Sequence, residues 1–177
     1  MGLLSPQYHN AVQLNNKFLE KQIDGIFDTD GNFVMDSYNQ NIIYTYFYRN
    51  EYRITDSTLT LTGKGRTIDT ISHAKLDLVK LKDGSVKLKT PPLKVNQHQA
   101  AYKNLLYNES NLRGRHESVK MWQKSSIIDV YYYPTSSYEY SFYITHEGPN
   151  KIRSILVSTN YIYVLSGNYL IRYQRTR

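Results

Sequence analysis

The stretch NIIYTYFYRNEYRI, residues 41 to 54, constrains the fold more than any other part of the chain. Read with the two-residue period of a strand, Ile42, Tyr44, Tyr46 and Tyr48 fall on one side and Ile43, Thr45, Phe47 and Arg49 on the other. A strand with one face in water alternates apolar with polar residues, but this one is apolar or aromatic on both. It needs cover on both sides, as the middle strand of a four-stranded antiparallel blade sandwiched between neighbouring blades has. Tyrosine supports a sheet reading: the chain has 18 Tyr against 5 Phe and 1 Trp. The residue favours strands and carries a polar tip that suits sheets running from a core to water.

The rest of the chain reads as strands and turns. Residues 11–24 have a short helix-like spacing. Asp30-Gly31 is a tight-turn pair between IDGIF and FVMD. After a turn near Arg49-Asn50, Leu59 and Leu61 alternate with threonines in an edge-type strand that ends at Gly63 and Gly65. Asp83-Gly84 divides two strands whose lysines (80, 82, 87 and 89) mark a wet side, and Pro91-Pro92 stops that ladder. QAAYKNLLYNES reads as one strand, and NLRGRHESVKMWQKSS as a loop with a helical turn burying Val119 and Trp122. SIIDVYYYPTSSYEYSFYI gives two strands around Pro134 and Ser136-Ser137. The end of the chain gives three, divided at Thr159-Asn160 and Gly167-Asn168. IIYTYFYRNEYRI, SIIDVYYYPTSSYEYSF and YIYVLSGNYLIRYQ share one plan, strand, turn and aromatic strand, with AYKNLLYNES as a degenerate member between.

Several chemistries are excluded or left without support. With no cysteine there is no disulfide, thiolate metal site or cysteine nucleophile. Asp28, Asp30, Asn32 and Asp36 do not follow a calcium loop, because Gly31 comes too early and no Glu follows at the twelfth place; a turn rich in Asp and Gly is expected. His9, His73, His98, His116 and His146 show no metal-ligand spacing. No G-x-S-x-G elbow occurs, GKGR (63–66) is not a phosphate loop, and NES at 108 is a bare sequon. No apolar run reaches the roughly 18 residues of a membrane helix, and no signal peptide is evident. Catalytic residues, metal and cofactor are therefore all expected to be absent. The net charge of +7 is concentrated in residues 75–124, which hold 11 Lys/Arg against 4 Asp/Glu. A solvated, lysine-rich hairpin accounts for it, and a phosphate-facing surface is the alternative.

At LEKQIDGIFDTDGNF, YTYFYRN, GRTIDTIS, PPLKVN and IIDVYYY with YSFYI, the chain resembles a family of uncharacterised Bacteroidetes β-propeller-like proteins. The resemblance covers roughly residues 18–173. Members are about twice this length and begin with a membrane-anchoring segment, and these blocks fall in their C-terminal half. The resemblance implies a propeller-type fold and a periplasmic or membrane-anchored setting, but no activity. This chain lacks the anchor and by itself reads as soluble.

These readings combine into one expectation. Residues 1–177 form a single all-β domain, an antiparallel β-propeller-type meander of about three to four blades and the C-terminal segment of a longer propeller, with residues 1–17 poorly ordered; a β-sandwich is the rival. The expected role is a non-catalytic binding or interaction module with a protein partner or a second copy. An extracellular propeller-type hydrolase or lyase is the runner-up, and nucleic-acid binding by residues 75–124 comes third. Lys103, Tyr107, Arg113, Arg115 and Trp122 mix basic with aromatic character and are the candidate ligand-binding residues.

Overall fold

A computed structural model of the chain describes residues 2–4, 12–14 and 18–175, the first two segments as backbone only. Among the described residues the fold is all-β and every strand pairing is antiparallel. Strands β1 (Gly2–Leu4) and β2 (Val12–Leu14) pair with each other. The rest of residues 1–17 lies outside the described residues.

A first sheet runs in chain order through β3 (Gly31–Asp36), β4 (Asn41–Tyr46), β5 (Glu51–Thr55) and β6 (Leu61–Arg66). A separate hairpin, β7 (Leu78–Lys80) and β8 (Val86–Leu88), follows, and its lysines are exposed. The second sheet is again a meander: β9 (Asn96–Tyr102), β10 (Leu105–Ser110), β11 (Ser125–Tyr132) and β12 (Ser137–Thr145). The short helix α1 (Val119–Lys124) lies between β10 and β11. A third sheet takes β13 (Ile152–Val157), β14 (Tyr161–Ser166) and β15 (Tyr169–Gln174). The leading strands β3, β9 and β13 lie side by side, and among the described residues the sheets close into neither a barrel nor a ring. No helix of the described residues is long and apolar enough to cross a membrane.

The three sheets stack. On the second sheet Ala101, Leu106 and Tyr131 meet Ile43, Tyr52 and Ile54 of the first. Their neighbours Ala100, Tyr107, Ile128 and Val130 point the other way, onto Ile155, Val157, Ile162 and Val164 of the third. The one-residue offset between the two sets is the strand period applied to a sheet buried on both sides. Gly65 sits where no side chain fits, since a Cβ there would lie 2.2 Å from the Tyr52 ring. β6 runs through Gly63 and Gly65 to Arg66, past the glycines at which a strand was expected to stop.

The two-sided stretch is thus covered differently from expectation. Ile43 on β4 faces the second sheet, but Tyr44 and Tyr46 on its other face pack with Phe18 from the segment before β3, not against another sheet. Tyrosine serves here because its hydroxyls hold that segment. Tyr44 donates to the Thr29 carbonyl (2.5 Å), and Tyr46 accepts from the Glu20 amide (3.0 Å). Arg49, fully buried, lies 3.6 Å from the Tyr46 ring centroid and donates to the carbonyls of Glu20 and Asp28.

Other expectations are corrected. Residues 18–27, including IDGIF, form bends rather than helix or strand. QAAYKNLLYNES holds two strands joined at Lys103-Asn104, where both residues have positive φ (50° and 65°), a tight hairpin turn without glycine. Of the three similar segments, β4–β5 and β14–β15 are both the second and third strands of their sheets, whereas β11–β12 is shifted by one strand, the counterpart of β4–β5 in the second sheet being β10–β11. Val119 is exposed and Trp122 only half-buried, so α1 contributes nothing to the core.

Polar groups also join the sheets. The buried Asp36 carboxylate, at the end of β3, accepts from the amides of Tyr38, Lys103 and Asn104, from Asn39 Nδ2 and from the Tyr133 hydroxyl at 2.8–3.1 Å. Asp36→Ala would leave those donors unpaired across the two sheets and is expected to cost about 3 kcal/mol or more in urea unfolding. A loss below about 1 kcal/mol would show that water replaces the carboxylate without penalty.

Asp28 plays a similar local part, accepting from the amides of Gln22, Ile23 and Gly25. Burial opposes ionisation of Asp28, but these bonds outweigh it and hold the group at about 2, below the ordinary 3.8. Asp36 is likewise lowered against the effect of its burial, by the Asn104 amide, Tyr133, Tyr38 and Asn39. Depressed carboxyls contribute stability that is complete above their ordinary value and lost as pH falls through the folded one. The melting temperature is therefore expected to drop between about pH 4 and pH 2, less steeply in Asp28→Asn. An unchanged slope in that variant would show that its charge is not what acid removes.

Candidate functional site

Between the segment that follows the first sheet and the second sheet lies a cleft of about 810 Å³. One wall is the segment after β6. Asn50 shapes it, donating from Nδ2 to the Asp69 carbonyl (2.6 Å) and from its amide to the Ile71 carbonyl (2.8 Å). Asp69 accepts from the Thr67 hydroxyl (2.5 Å) and the Ile71 amide (2.8 Å), which fixes its carboxylate at the cleft.

The opposite wall is β11 and β12. Ile127, Asp129 and Tyr131 share the face of β11 that looks toward the first sheet, and Ser141 and Tyr138 stand across from them on β12. Asp129 is only 4% exposed, with Oδ1 accepting from the Ser141 hydroxyl (2.5 Å) and Oδ2 3.5 Å from the Tyr131 hydroxyl. Tyr131 in turn accepts from the Ile68 amide (3.1 Å), tying one wall to the other. The β10–α1 loop brings Arg113, Arg115 and Glu117 to the rim; Arg113 donates to the Glu117 carbonyl (2.7 Å), and Tyr143 donates to the Glu117 carboxylate.

Burial pushes the Asp129 carboxyl above its ordinary value. The Ser141 and Tyr131 bonds pull the other way, and the charges of Asp69 and Glu117 push it further up. A buried carboxyl with a raised pKa in a cleft is a candidate functional group.

A second polar cluster sits nearby, in a pocket of about 100 Å³ that Trp122 helps to line. His98 Nδ1 and Ser126 Oγ both reach the Glu109 carboxylate at 2.5 Å, and Ser126 Oγ lies 2.9 Å from His146 Nε2. The group has the residue types of a nucleophilic triad in the wrong order. The serine has one proton and gives it to Glu109, so His146 must donate to Oγ and cannot act as its base. Burial also lowers the His146 pKa. Among the described residues no group of three or more His, Asp or Glu is placed to hold a metal ion.

The five candidate residues do not converge. Arg113 and Arg115 line the cleft, and Trp122 lines the small pocket beside it. Lys103 stands at the β9–β10 turn, about 20 Å away along β10 at strand rise, with Nζ 5.0 Å from the Tyr38 ring centroid. Tyr107 is in the core between the second and third sheets, 1% exposed, and offers no ring for stacking. Asp69, Glu117, Asp129, Tyr138 and Ser141 escaped the sequence reading. Asp129 alone carried a signal, as the one charge inside the apolar run SIIDVYYY.

No family model matches the chain, and no curated protein does. Among solved structures, the computationally designed Ika4 protein aligns over 91% of this chain and 99% of its own, at 9% identity and a TM-score of 0.34. That score carries no argument about fold or function.

A carboxyl with a raised pKa weakens the fold above that pKa and ceases to do so once both states are protonated, below its ordinary 3.8. Asp129→Asn is therefore expected to melt at or above the wild-type temperature at pH 7, with the difference vanishing near about pH 3. A clear fall in melting temperature at pH 7 would mean that the carboxylate's hydrogen bonds outweigh its burial.

Proposed function

We propose that this chain is a propeller-type, non-catalytic binding module that holds a short neutral oligosaccharide in the cleft between the segment after its first sheet and its second sheet. The observation that carries the reading is the lining of that cleft. Arg113 and Arg115 line it together with Asp69, Glu117 and Asp129, and with Tyr138 and Ser141. Neither sign of charge prevails, which favours a ligand without net charge. Carboxylates and guanidinium groups grip paired hydroxyls with two hydrogen bonds at once, and an exposed tyrosine gives a sugar ring a face to lie on. About 810 Å³ is within the usual range for small-ligand sites.

The propeller-type reading draws support from three meanders whose leading strands adjoin, and from a middle sheet buried on both faces, which neither layer of a two-layer sandwich has. On this reading the chain carries three blades. The resemblance to the Bacteroidetes proteins would place it in the periplasm or at a membrane, a setting suited to saccharide capture. A nucleic-acid role has less behind it: the acids of the cleft oppose phosphate, and the basic residues of 75–124 are spread over the hairpin, the far turn and the rim. The hydrolase reading keeps one observation, the raised Asp129 beside two other carboxylates.

Calorimetric titration with glucose, xylose, mannose and N-acetylglucosamine oligomers of two to six units (roughly the length such a cleft admits) tests the proposal. One of these series is expected to bind and to be recovered uncleaved. Arg115→Ala and Tyr138→Ala should each weaken binding about tenfold, the loss of about 1.4 kcal/mol that one good contact supplies. Absence of binding across the panel, or binding indifferent to both substitutions, would overturn the proposal; recovery of shortened sugar would transfer the cleft to the hydrolase reading.

A further inference from the structure

The leading strands β3, β9 and β13 bring their first residues together around a second cavity, of about 310 Å³, which shares no residue with the cleft. Two strand irregularities shape it. β9 sets Gln97 and His98 opposite the single residue Glu109 of β10, and β13 carries Arg153 as an extra residue between the pairs Ile152–Ser166 and Ser154–Leu165. Regular alternation would send one member of each consecutive pair to the other face of its sheet. The bulges instead turn both Gln97 and His98, and both Arg153 and Ser154, toward the cavity. Re-aiming a side chain in this way is what bulges beside functional sites do.

The lining is cationic. Lys94, just before β9, joins Arg153 at the cavity, and no carboxylate lines it. Neither cation forms an ion pair among the described residues. Lys94 Nζ lies 3.6 Å from the Phe47 ring centroid, and the Phe47 carbonyl accepts from the amides of Val95 (2.7 Å) and Asn96 (3.3 Å), so the ring and the lysine rest on joined backbone. Burial pushes the Lys94 ammonium below its ordinary pKa, although the charges of Asp30 and Glu109 act the other way. Those two acids have partners of their own. Glu109 meets His98 Nδ1 and Ser126 Oγ, and Asp30 accepts from the Gly31 amide. Arg153 gives one of its five N–H groups to the Gly167 carbonyl (3.1 Å) and keeps the rest. Gln97 and Ser154 add an amide and a hydroxyl that can donate.

We infer that this cavity binds a phosphate group, free or as the monoester of a small molecule, between Lys94 and Arg153. A phosphate monoester carries a charge of about −1.5 to −2 near neutral pH, which two cations match and a single carboxylate does not. The guanidinium fork of Arg153 suits two phosphate oxygens, and the Lys94 ammonium acts as a point charge on a third. Two cations serve one phosphate, whereas a nucleic-acid track neutralises several in a row. The volume falls at the lower end of the usual range for small-ligand sites, which leaves room beside the phosphate for a small organic remainder. This site is independent of the saccharide reading, since the two cavities have no residue in common.

Calorimetric titration of the full chain with inorganic phosphate and with glycerol 3-phosphate tests it, in about 0.15 M salt so that loose surface contacts are screened. One-to-one binding is expected, with a dissociation constant below about 1 mM for at least one of the two. Tighter binding of glycerol 3-phosphate assigns the site to esters, and tighter binding of phosphate to the free ion. Lys94→Gln and Arg153→Gln should each weaken binding about tenfold, and Arg153→Lys, which retains the charge, should weaken it less. Arg153 is exposed, so its variants keep the test decisive even if Lys94→Gln disturbs the fold. Arg115→Ala, at the saccharide cleft, should leave phosphate binding unchanged. Four results would overturn the proposal: no binding of either probe at about 10 mM, binding indifferent to the Lys94 and Arg153 substitutions, equal weakening by Arg115→Ala, or succinate bound as tightly as the phosphate probes.

Discussion

The buried carboxylate of Asp36 is the interaction on which the relation of the first two sheets depends. It ends β3, and its five donors come from its own turn, the Tyr38 amide and Asn39 Nδ2, and from the second sheet, the backbone of Lys103-Asn104 and the Tyr133 hydroxyl after β11. Lys103 and Asn104 both adopt a backbone conformation that side chains disfavour, and the hydrogen bonds of a buried charge are strong enough to hold it. The same bonds compensate the carboxylate for its lost water, so neither the charge nor the turn is stable without the other.

At the opposite end of the interface a chain of amides does comparable work without charge. Asn32 donates to Gln99, Gln99 to Asn108 and Asn108 to Asn96, which donates to the carbonyls of Tyr46 and Arg49. The buried amides of Gln99, Asn108 and Asn96 each give and receive, so polar atoms closed to water are paired. Between these two polar fasteners the contact is mainly hydrophobic, through Ile43, Tyr52, Ile54, Leu106 and Tyr131, with the Tyr52 hydroxyl reaching Ser136 and the Tyr131 hydroxyl accepting from the Ile68 amide. Apolar burial supplies attraction, whereas hydrogen bonds restrict the angle and offset at which the sheets meet.

The cleft follows from that fixed offset. Where the first sheet ends at β6 its chain turns away, held by Asn50, and the second sheet continues past it along β11 and β12. Asp129, in the row of side chains that elsewhere fills the interface with Ile127 and Tyr131, has no apolar partner opposite and meets the cleft instead. Tyr131 does both tasks: its ring joins the core and its hydroxyl links Ile68 on one wall to Asp129 on the other. Packing and site are thus one construction, which explains a carboxyl retained where burial disfavours it.

Much of the local structure was legible in the sequence. The all-β class, the hairpin divided at Asp83-Gly84, the strands on either side of Pro134 and the last three strands follow from two-residue alternation and turn residues, which act over a few neighbours. Lys103-Asn104 escaped because its turn is stabilised by Asp36, far away in sequence, rather than by a glycine within it. The two-faced character of residues 41 to 54 announced that both sides are covered, but not by what; a side chain's hydrophobicity states a need for contact and is silent on the partner. The site was less legible still. Arg113 and Arg115 could be singled out from basic character, and Tyr107, chosen by the same criterion, went to the core, because alternation assigns a face without saying which face is solvent. Asp129 and Ser141 meet through the register of β11 with β12, and Asp69 joins them only when the chain after β6 is laid against the second sheet. The sequence by itself determined which residues form strands and turns, since those preferences are local; the tertiary structure alone decided which faces meet, because that depends on hydrogen bonds between groups many residues apart.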